Sequence, residues 1–274
     1  PGGAAKRCMS LKVTILGTGP SGGVPRIGGG WGACDSTNPK NRRRRCSLLV
    51  QRDGDEGTTN VLVDTPPDCR DQLLDAGVGL LDGVLYTHDH ADHTHGIDDL
   101  RVVAYNGHRR VETYADRATL QILRQRFDYC FETPSGSEYP AVLLGRKISP
   151  GETAHIVGPG GAIDAVAFGQ IHGRGETLGF RFGGLAYSPD VSDLPEESLI
   201  HLQGLDVWIL DALRYTPHPS HFSVSGALTW IEKLKPKRAV LTHMHVDLDY
   251  ATLAGELPPG VEPAYDGMVL SVAD

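Results

Sequence analysis

No run of apolar side chains in this 274-residue chain is long enough to cross a bilayer, so no membrane span is expected. The N-terminal stretch also lacks the hydrophobic core of a secretory signal. Cysteine is scarce. The five present are odd in number and scattered, so no disulfide framework is expected, and a reducing cytoplasm is the expected compartment. Positive charge is in deficit. A net charge of −8 argues against the basic surface of a general nucleic-acid binder, leaving nucleic acid expected only as a small nucleotide. No linker, low-complexity tract or fixed-period repeat interrupts the order of elements. Residues 1–8 read as a disordered lead or cloning remnant before one domain over residues 9–274.

What is present is an alternation of short apolar runs with helical segments. Strands are predicted at 11–16, 47–51, 60–64 and 83–87, then at 141–148, 163–168, 179–183, 206–211, 238–242 and 268–272. Helical spacing covers 68–76, stopped by Gly77, and 97–106, stopped by Gly107. Further helices are predicted at 116–126, 195–202, 223–234 and 249–256. Strand runs early and late with helices between predict an α/β chain of two packed sheets with helices outside, built as two related halves.

The densest chemistry lies in His88-Asp89-His90-Ala91-Asp92-His93, immediately past the strand at 83–87. Imidazole and carboxylate together suit zinc, manganese or iron. Alternating side chains diverge, so the cluster does not serve one small cation. His88 and His90 are assigned to one ion, Asp92 and His93 to a second. Each ion needs ligands from elsewhere, and His172, Asp190 and His243 each follow an apolar, strand-like run. Asp190 is the natural bridge, because one carboxylate can face two metals about 3.5–4 Å apart.

Two other stretches invite competing readings. Gly17-Thr18-Gly19-Pro20-Ser21-Gly22 fits the dinucleotide-binding fingerprint, whose mechanism needs a helix to begin at its third glycine. Gly23-Val24-Pro25-Arg26-Ile27-Gly28-Gly29-Gly30 follows instead, which no helix tolerates, so a mobile loop over the metal site is expected. The run Arg42-Arg43-Arg44-Arg45 is either a solvated loop or a patch that draws an anionic substrate.

The order His-x-His-x-Asp-His, His172, Asp190, His243 resembles the metallo-β-lactamase superfamily over nearly the whole chain. Gly17 to Pro25 and Asn41 to Val50 resemble the glycine-rich first loop and Arg-rich second-strand approach of one branch, the PhnP-type cyclic-phosphate phosphodiesterases. The resemblance implies an αββα sandwich, two packed mixed β-sheets flanked by helices, with the metal site at one edge. It implies a dinuclear phosphodiesterase using zinc or manganese, in which a metal-bridging hydroxide attacks a small phosphate diester such as a cyclic ribose phosphate or a nucleotide. Asp92 would orient that hydroxide as well as bind metal.

An alkoxide leaves poorly unprotonated, so a general acid is expected. His221, in Pro217-His218-Pro219-Ser220-His221-Phe222-Ser223 before a helix capped by Ser223, matches the place of the branch's phosphate-contacting acid. His218 is the reserve, Ser21 a further substrate contact, and His245 an outer support for His243. The branch also holds a structural zinc on closely spaced cysteines. Only Cys34 stands in the corresponding stretch, so no structural zinc is expected. The expected partner is a small phosphate ester, with no membrane and with a homodimer allowed. Rival readings are a tRNA 3′-end processing nuclease, which would need an RNA-clasping arm and a basic face, a glyoxalase II-like thioesterase, and a non-catalytic metal-bound sensor.

Overall fold

Strict alternation along the early strands makes a sheet that is apolar on both faces. Leu48, Val50, Val61 and Val63 contribute to one buried cluster, while their neighbours Leu49 and Leu62 contribute to another. The computed structural model describes residues 10–273, and the expected lead at 1–8 lies outside them. The first sheet holds β1 (Ser10–Gly17), β2 (Ser47–Gly54), β3 (Gly57–Val63), β4 (Gly83–Leu85), β5 (Val111–Ala115) and β6 (Leu143–Lys147). The second holds β7 (Thr153–Gly158), β8 (Gly161–His172), β9 (Gly175–Phe182), β10 (Leu185–Ser188), β11 (Val207–Asp211), β12 (Arg238–Thr242) and β13 (Val261–Pro263). β14 (Met268–Ala273) returns to pair with β1, so the first sheet runs 14-1-2-3-4-5-6 and the second 13-12-11-10-9-8-7.

Each seven-stranded sheet combines three antiparallel pairings with three parallel ones, which matches the expected two related halves. Between the sheets lies the main core, with Val13, Ile15, Leu48 and Val63 on one side and Phe168, Phe180, Trp208 and Leu210 on the other, all fully buried. Fully burying such a side chain stabilises by about 1.5–3 kcal/mol.

The helices are α1 (Cys69–Ala76), α2 (Ala91–Thr94), α3 (Leu100–Gly107), α4 (Arg117–Arg126), α5 (Asp128–Phe131), α6 (Val224–Leu234) and α7 (Tyr250–Glu256). Leu73, Leu100, Val103 and Leu123 press α1, α3 and α4 against the outer face of the first sheet. Gly77 ends α1 at φ 67, as the sequence predicts. The run at 97–106 differs. It opens as a 3₁₀ turn at Ile97–Asp99, α3 carries Gly107 inside it, and the left-handed residue that ends it is His108 at φ 49. The segment expected as a helix at 195–202 is a 3₁₀ helix, Glu196–Leu202.

Three of the four residues of the arginine run are tied down within the fold. Arg43 is buried, and its guanidinium donates to the carbonyls of Met244 (3.4 Å), His245 (3.1 Å) and Leu248 (2.6 Å). Arg44 pairs with Asp75 (2.7 Å) and Asp266 (3.4 Å), and Arg45 with Asp68 (3.1 Å). Only Arg42 of the four is exposed. The run therefore staples the loop between β1 and β2 to the segment after β12. A small cluster of Val24, Cys34 and Val246, with Trp31 against it, closes the same seam.

Candidate metal centre

The site forms where strand ends meet. Parallel neighbours β3 and β4 end beside one another in the first sheet, as do β10, β11 and β12 in the second. β8 shares the direction of β10, because both run antiparallel to β9. His88 to His93 follow β4, His172 closes β8, Asp190 lies two residues past β10, and His243 one past β12. The structure thus brings all seven expected ligands to one edge of the two sheets. Gly96 assists: a Cβ there would collide with the Pro66 carbonyl, and its absence lets Gly96 N donate to the Thr65 carbonyl while Thr65 N donates to that of His93.

Two ligand groupings result. His88, His90, His172 and Asp190 offer atoms within 4.8 Å of one another, and so do Asp92, His93 and His243. His88 and His90 fall in one grouping and Asp92 and His93 in the other, with His172 and His243 joining one each. Asp190 faces both: its Oδ2 lies 3.9 Å from His88 Nε2 and 3.8 Å from His172 Nε2, its Oδ1 3.0 Å from His93 Nε2 and 3.6 Å from His243 Nε2. Asp92 Oδ2 lies 3.6 Å from His93 Nε2 and 4.0 Å from His243 Nε2. Ligands at about 2.0–2.2 Å from one cation stand roughly 3–4 Å apart; all of these separations suit a shared ion, and all but the 3.0 Å contact are too long for a good hydrogen bond.

The donor atoms fit a cation for a second reason. His88 Nε2, His93 Nε2, His243 Nε2 and Asp190 Oδ1 are all buried with no hydrogen-bond partner, although such atoms normally find one. Burial, then His93, pushes His88 well below the ordinary imidazole range, and burial brings His172 down to about 4, so both present neutral lone pairs. Burial would lower His93 and His243 too. The carboxylates of Asp190 and Asp92 outweigh it and raise both, with Asp64 adding to the effect on His93 and Asp211 to that on His243, which rises to about 9. Burial would raise Asp92 and Asp190, but the same histidines hold both below the carboxylate range. The cluster calls for positive charge.

Outer partners aim the rings. His93 Nδ1 lies 2.7 Å from Asp64 Oδ2, which also accepts from Thr87 Oγ1 at 2.8 Å, while Thr87 Oγ1 is 3.0 Å from His88 Nδ1. His172 Nδ1 donates to the Ser220 carbonyl at 2.6 Å. His221 Nδ1 lies 2.7 Å from Asp211 Oδ2, leaving Nε2 toward the centre, 4.0 Å from Asp190 Oδ2. The His221 ring stacks on His243 at 4.6 Å and meets His172 edge-on at the same separation. It also forms a third possible grouping with Asp190 and His243. Asp64 and Asp211 were not singled out in the sequence. Both end apolar strand runs as Asp190 does, and that signal could have found them. Among the four non-glycine residues with positive φ, Asp64 (φ 63) and His243 (φ 58) belong to this site, where strained backbone tends to collect.

The remaining expectations land elsewhere. His218 sits beside His221, ring centroids 5.2 Å apart, its Nδ1 3.1 Å from Ser220 Oγ. Ser21 is exposed in the turn after Pro20 and makes no polar contact with a ligand among the described residues. His245 touches none of the ligands. It contacts the Arg26 guanidinium and lies 3.1 Å from Asp247. No helix among the described residues is long and apolar enough to cross a membrane.

A β-lactamase superfamily domain model matches residues 59–244. A crystallised diphosphatase of the PhnP family is 37% identical and superposes with a TM-score of 0.85, covering 96% of this chain and 98% of that one. Zn²⁺-bound PqqB from Methylobacterium extorquens superposes at 0.72 with 20% identity, over 94% of this chain and 99% of the other. The short human tRNase Z superposes at 0.62 with 18% identity, over 94% and 98%. Both of these likenesses concern the fold alone. An octanoyltransferase of Porphyromonas gingivalis is 32% identical over 263 residues, 94% of this chain and 51% of the relative. The chain therefore spans about half the length of that curated relative.

Proposed function

The chain belongs to the β-lactamase superfamily as a metal-dependent hydrolase of its PhnP family, and on that premise we propose that it hydrolyses a small phosphate diester at two divalent cations. The observation that carries the reading is Asp190, whose two carboxylate oxygens each face a separate histidine set. His88, His90 and His172 would hold one zinc or manganese ion, Asp92, His93 and His243 the other, with Asp190 between them. When bound, such ions supply Lewis acidity and water that ionises near neutrality.

The protein's own groups do the rest. Asp92 both binds and orients. His221 Nε2 faces the centre and would give a proton to the leaving oxygen, with Asp211 fixing the ring through Nδ1. Burial and then His243 hold His221 down to about 4, so it is neutral at pH 7 until an anionic phosphate arrives beside it. His218 lies next along the same loop and would touch the substrate beyond His221.

A phosphoanhydride in place of an ester bond is the second reading, favoured by the relative described as a diphosphatase. The name octanoyltransferase belongs to a protein about twice as long, and we assign that activity to the half this chain does not match. A tRNA-processing role finds little support in a chain with a net charge of −8. The test is metal content per chain together with turnover of bis-p-nitrophenyl phosphate in added Mn²⁺ or Zn²⁺. Two metals are expected, with turnover falling at least about a hundredfold in Asp190→Ala and clearly in His221→Ala. Two metals without turnover of any phosphate ester would move the assignment to thioester hydrolysis or sensing.

A further inference from the structure

The mouth of the metal centre carries a second set of cationic and imidazole side chains that the ligand groupings do not use. Arg26, exposed at the tip of the glycine-rich loop, reaches across to contact His245 Nε2 with its guanidinium. His245 stands two residues past His243, and its backbone N–H donates to Leu213 O at 2.9 Å, which sets it beside Arg214. Arg214 curls its guanidinium over the carbonyls of Thr216 (3.2 Å) and Pro217 (3.0 Å), and its own carbonyl accepts from Val224 N at the start of α6. His218 completes the group in the loop that leads to His221.

The set is short of negative charge. Asp247 beside His245 supplies its one paired carboxylate among the described residues, and neither Arg26 nor Arg214 has a carboxylate partner there. Elsewhere Arg44, Arg45, Arg101, Arg109, Arg126 and Arg146 each have one. Two guanidiniums without a carboxylate partner, both beside His245, are what an oxyanion would relieve. A guanidinium presents the fork geometry that matches phosphate oxygens.

We infer that Arg26 and Arg214, with His245 holding Arg26 in place, form a second oxyanion subsite, so that the substrate carries a further phosphoryl group adjoining the phosphorus under attack. The inference rests on the phosphate-ester reading above and narrows it to diphosphate esters, in which each phosphorus is itself a diester centre. The loop between β1 and β2 then acts as a specificity device, because it brings Arg26 over the cleft.

The test compares a nucleoside diphosphate sugar with bis-p-nitrophenyl phosphate as substrates of the metal-loaded protein, in wild type, Arg26→Ala, Arg26→Lys and Arg214→Ala. The ratio of kcat/KM for the diphosphate to that for the simple diester is expected to fall about tenfold or more in the alanine variants, through KM, with partial recovery in Arg26→Lys. Calorimetry with inorganic pyrophosphate and orthophosphate gives a readout independent of turnover. Wild type should favour pyrophosphate, and Arg26→Ala should lose that preference. Equal losses on both substrates, or an unchanged preference in the variants, would overturn the subsite while leaving the phosphodiesterase intact. A pyrophosphate preference that depends on Arg26, in a protein that turns over no phosphate ester, would keep the subsite and sink the hydrolytic reading.

Discussion

At the scale of single residues, Asp211 decides what His221 can do without itself meeting substrate. It is fully buried at the end of β11, and its Oδ2 receives Val191 N at 3.1 Å as well as the His221 ring at 2.7 Å. Asparagine can keep the oxygen in place while removing the charge, which separates position from electrostatics. The carboxylate favours protonated His221, so the neutral amide should lower the pKa of that imidazole in the substrate complex. An acid that deprotonates earlier loses activity earlier. In Asp211→Asn the alkaline limb of the kcat–pH profile is expected to move to lower pH, with kcat down about 10–100-fold, the usual range for an outer partner. A uniform loss of kcat with no displacement of the profile would reduce Asp211 to a packing role. Asp64 occupies the corresponding place behind His93, and Thr87 extends its hold to His88.

At the scale of elements, legibility followed locality. His88 to His93 sit on one loop, so their chemistry is visible in six consecutive residues. His172, Asp190 and His243 were readable because each follows an apolar run, and a strand that ends at a sheet edge presents its next residue to the cleft. Asp64 and Asp211 obey the same rule and were passed over, since strand-ending aspartates also serve as ordinary turn formers. The strand β5 escaped notice because Glu112 breaks its short apolar pattern, and β7 because it is an edge strand with alternate residues exposed. The arginine run failed for a different reason: its partners are backbone carbonyls about two hundred residues further along, which no local pattern reveals. That failure carries a prediction. Removing a buried guanidinium strands several carbonyls, so Arg43→Ala should cost about 3 kcal/mol or more and expose the loop between β1 and β2 to proteolysis. Thermal unfolding and limited proteolysis of the variant would show it. An unchanged melting temperature with an intact loop would mean that the Val24, Cys34 and Val246 cluster alone holds the seam.

At the scale of the whole molecule, the ligands come from both halves of the sandwich. His88, His90, Asp92 and His93 follow β4 in the first sheet, whereas His172 ends β8 and Asp190 and His243 follow β10 and β12 in the second. The two groupings assigned to the ions each include residues from both sheets. Cations bound there would tie together the edge at which the inter-sheet core gives way to buried, unpartnered imidazoles and carboxylates. A cation present at about a hundred times its dissociation constant adds roughly 2.7 kcal/mol to folding when the unfolded chain does not bind it. At about 2–4 °C per kcal/mol for a chain of this size, stripping two such ions with a chelator should lower Tm by roughly 10–20 °C. Scanning calorimetry of the metal-loaded protein, with and without chelator, reads that shift directly. Asp190→Ala loses the one carboxylate that faces both groupings, so its chelator shift should shrink toward zero even if one weakened ion stays bound. A full shift in that variant would place the stabilising ions elsewhere, and no shift in wild type would mean that the core joins the sheets without them. Metal occupancy is therefore expected to govern how long the fold survives as well as whether the centre reacts.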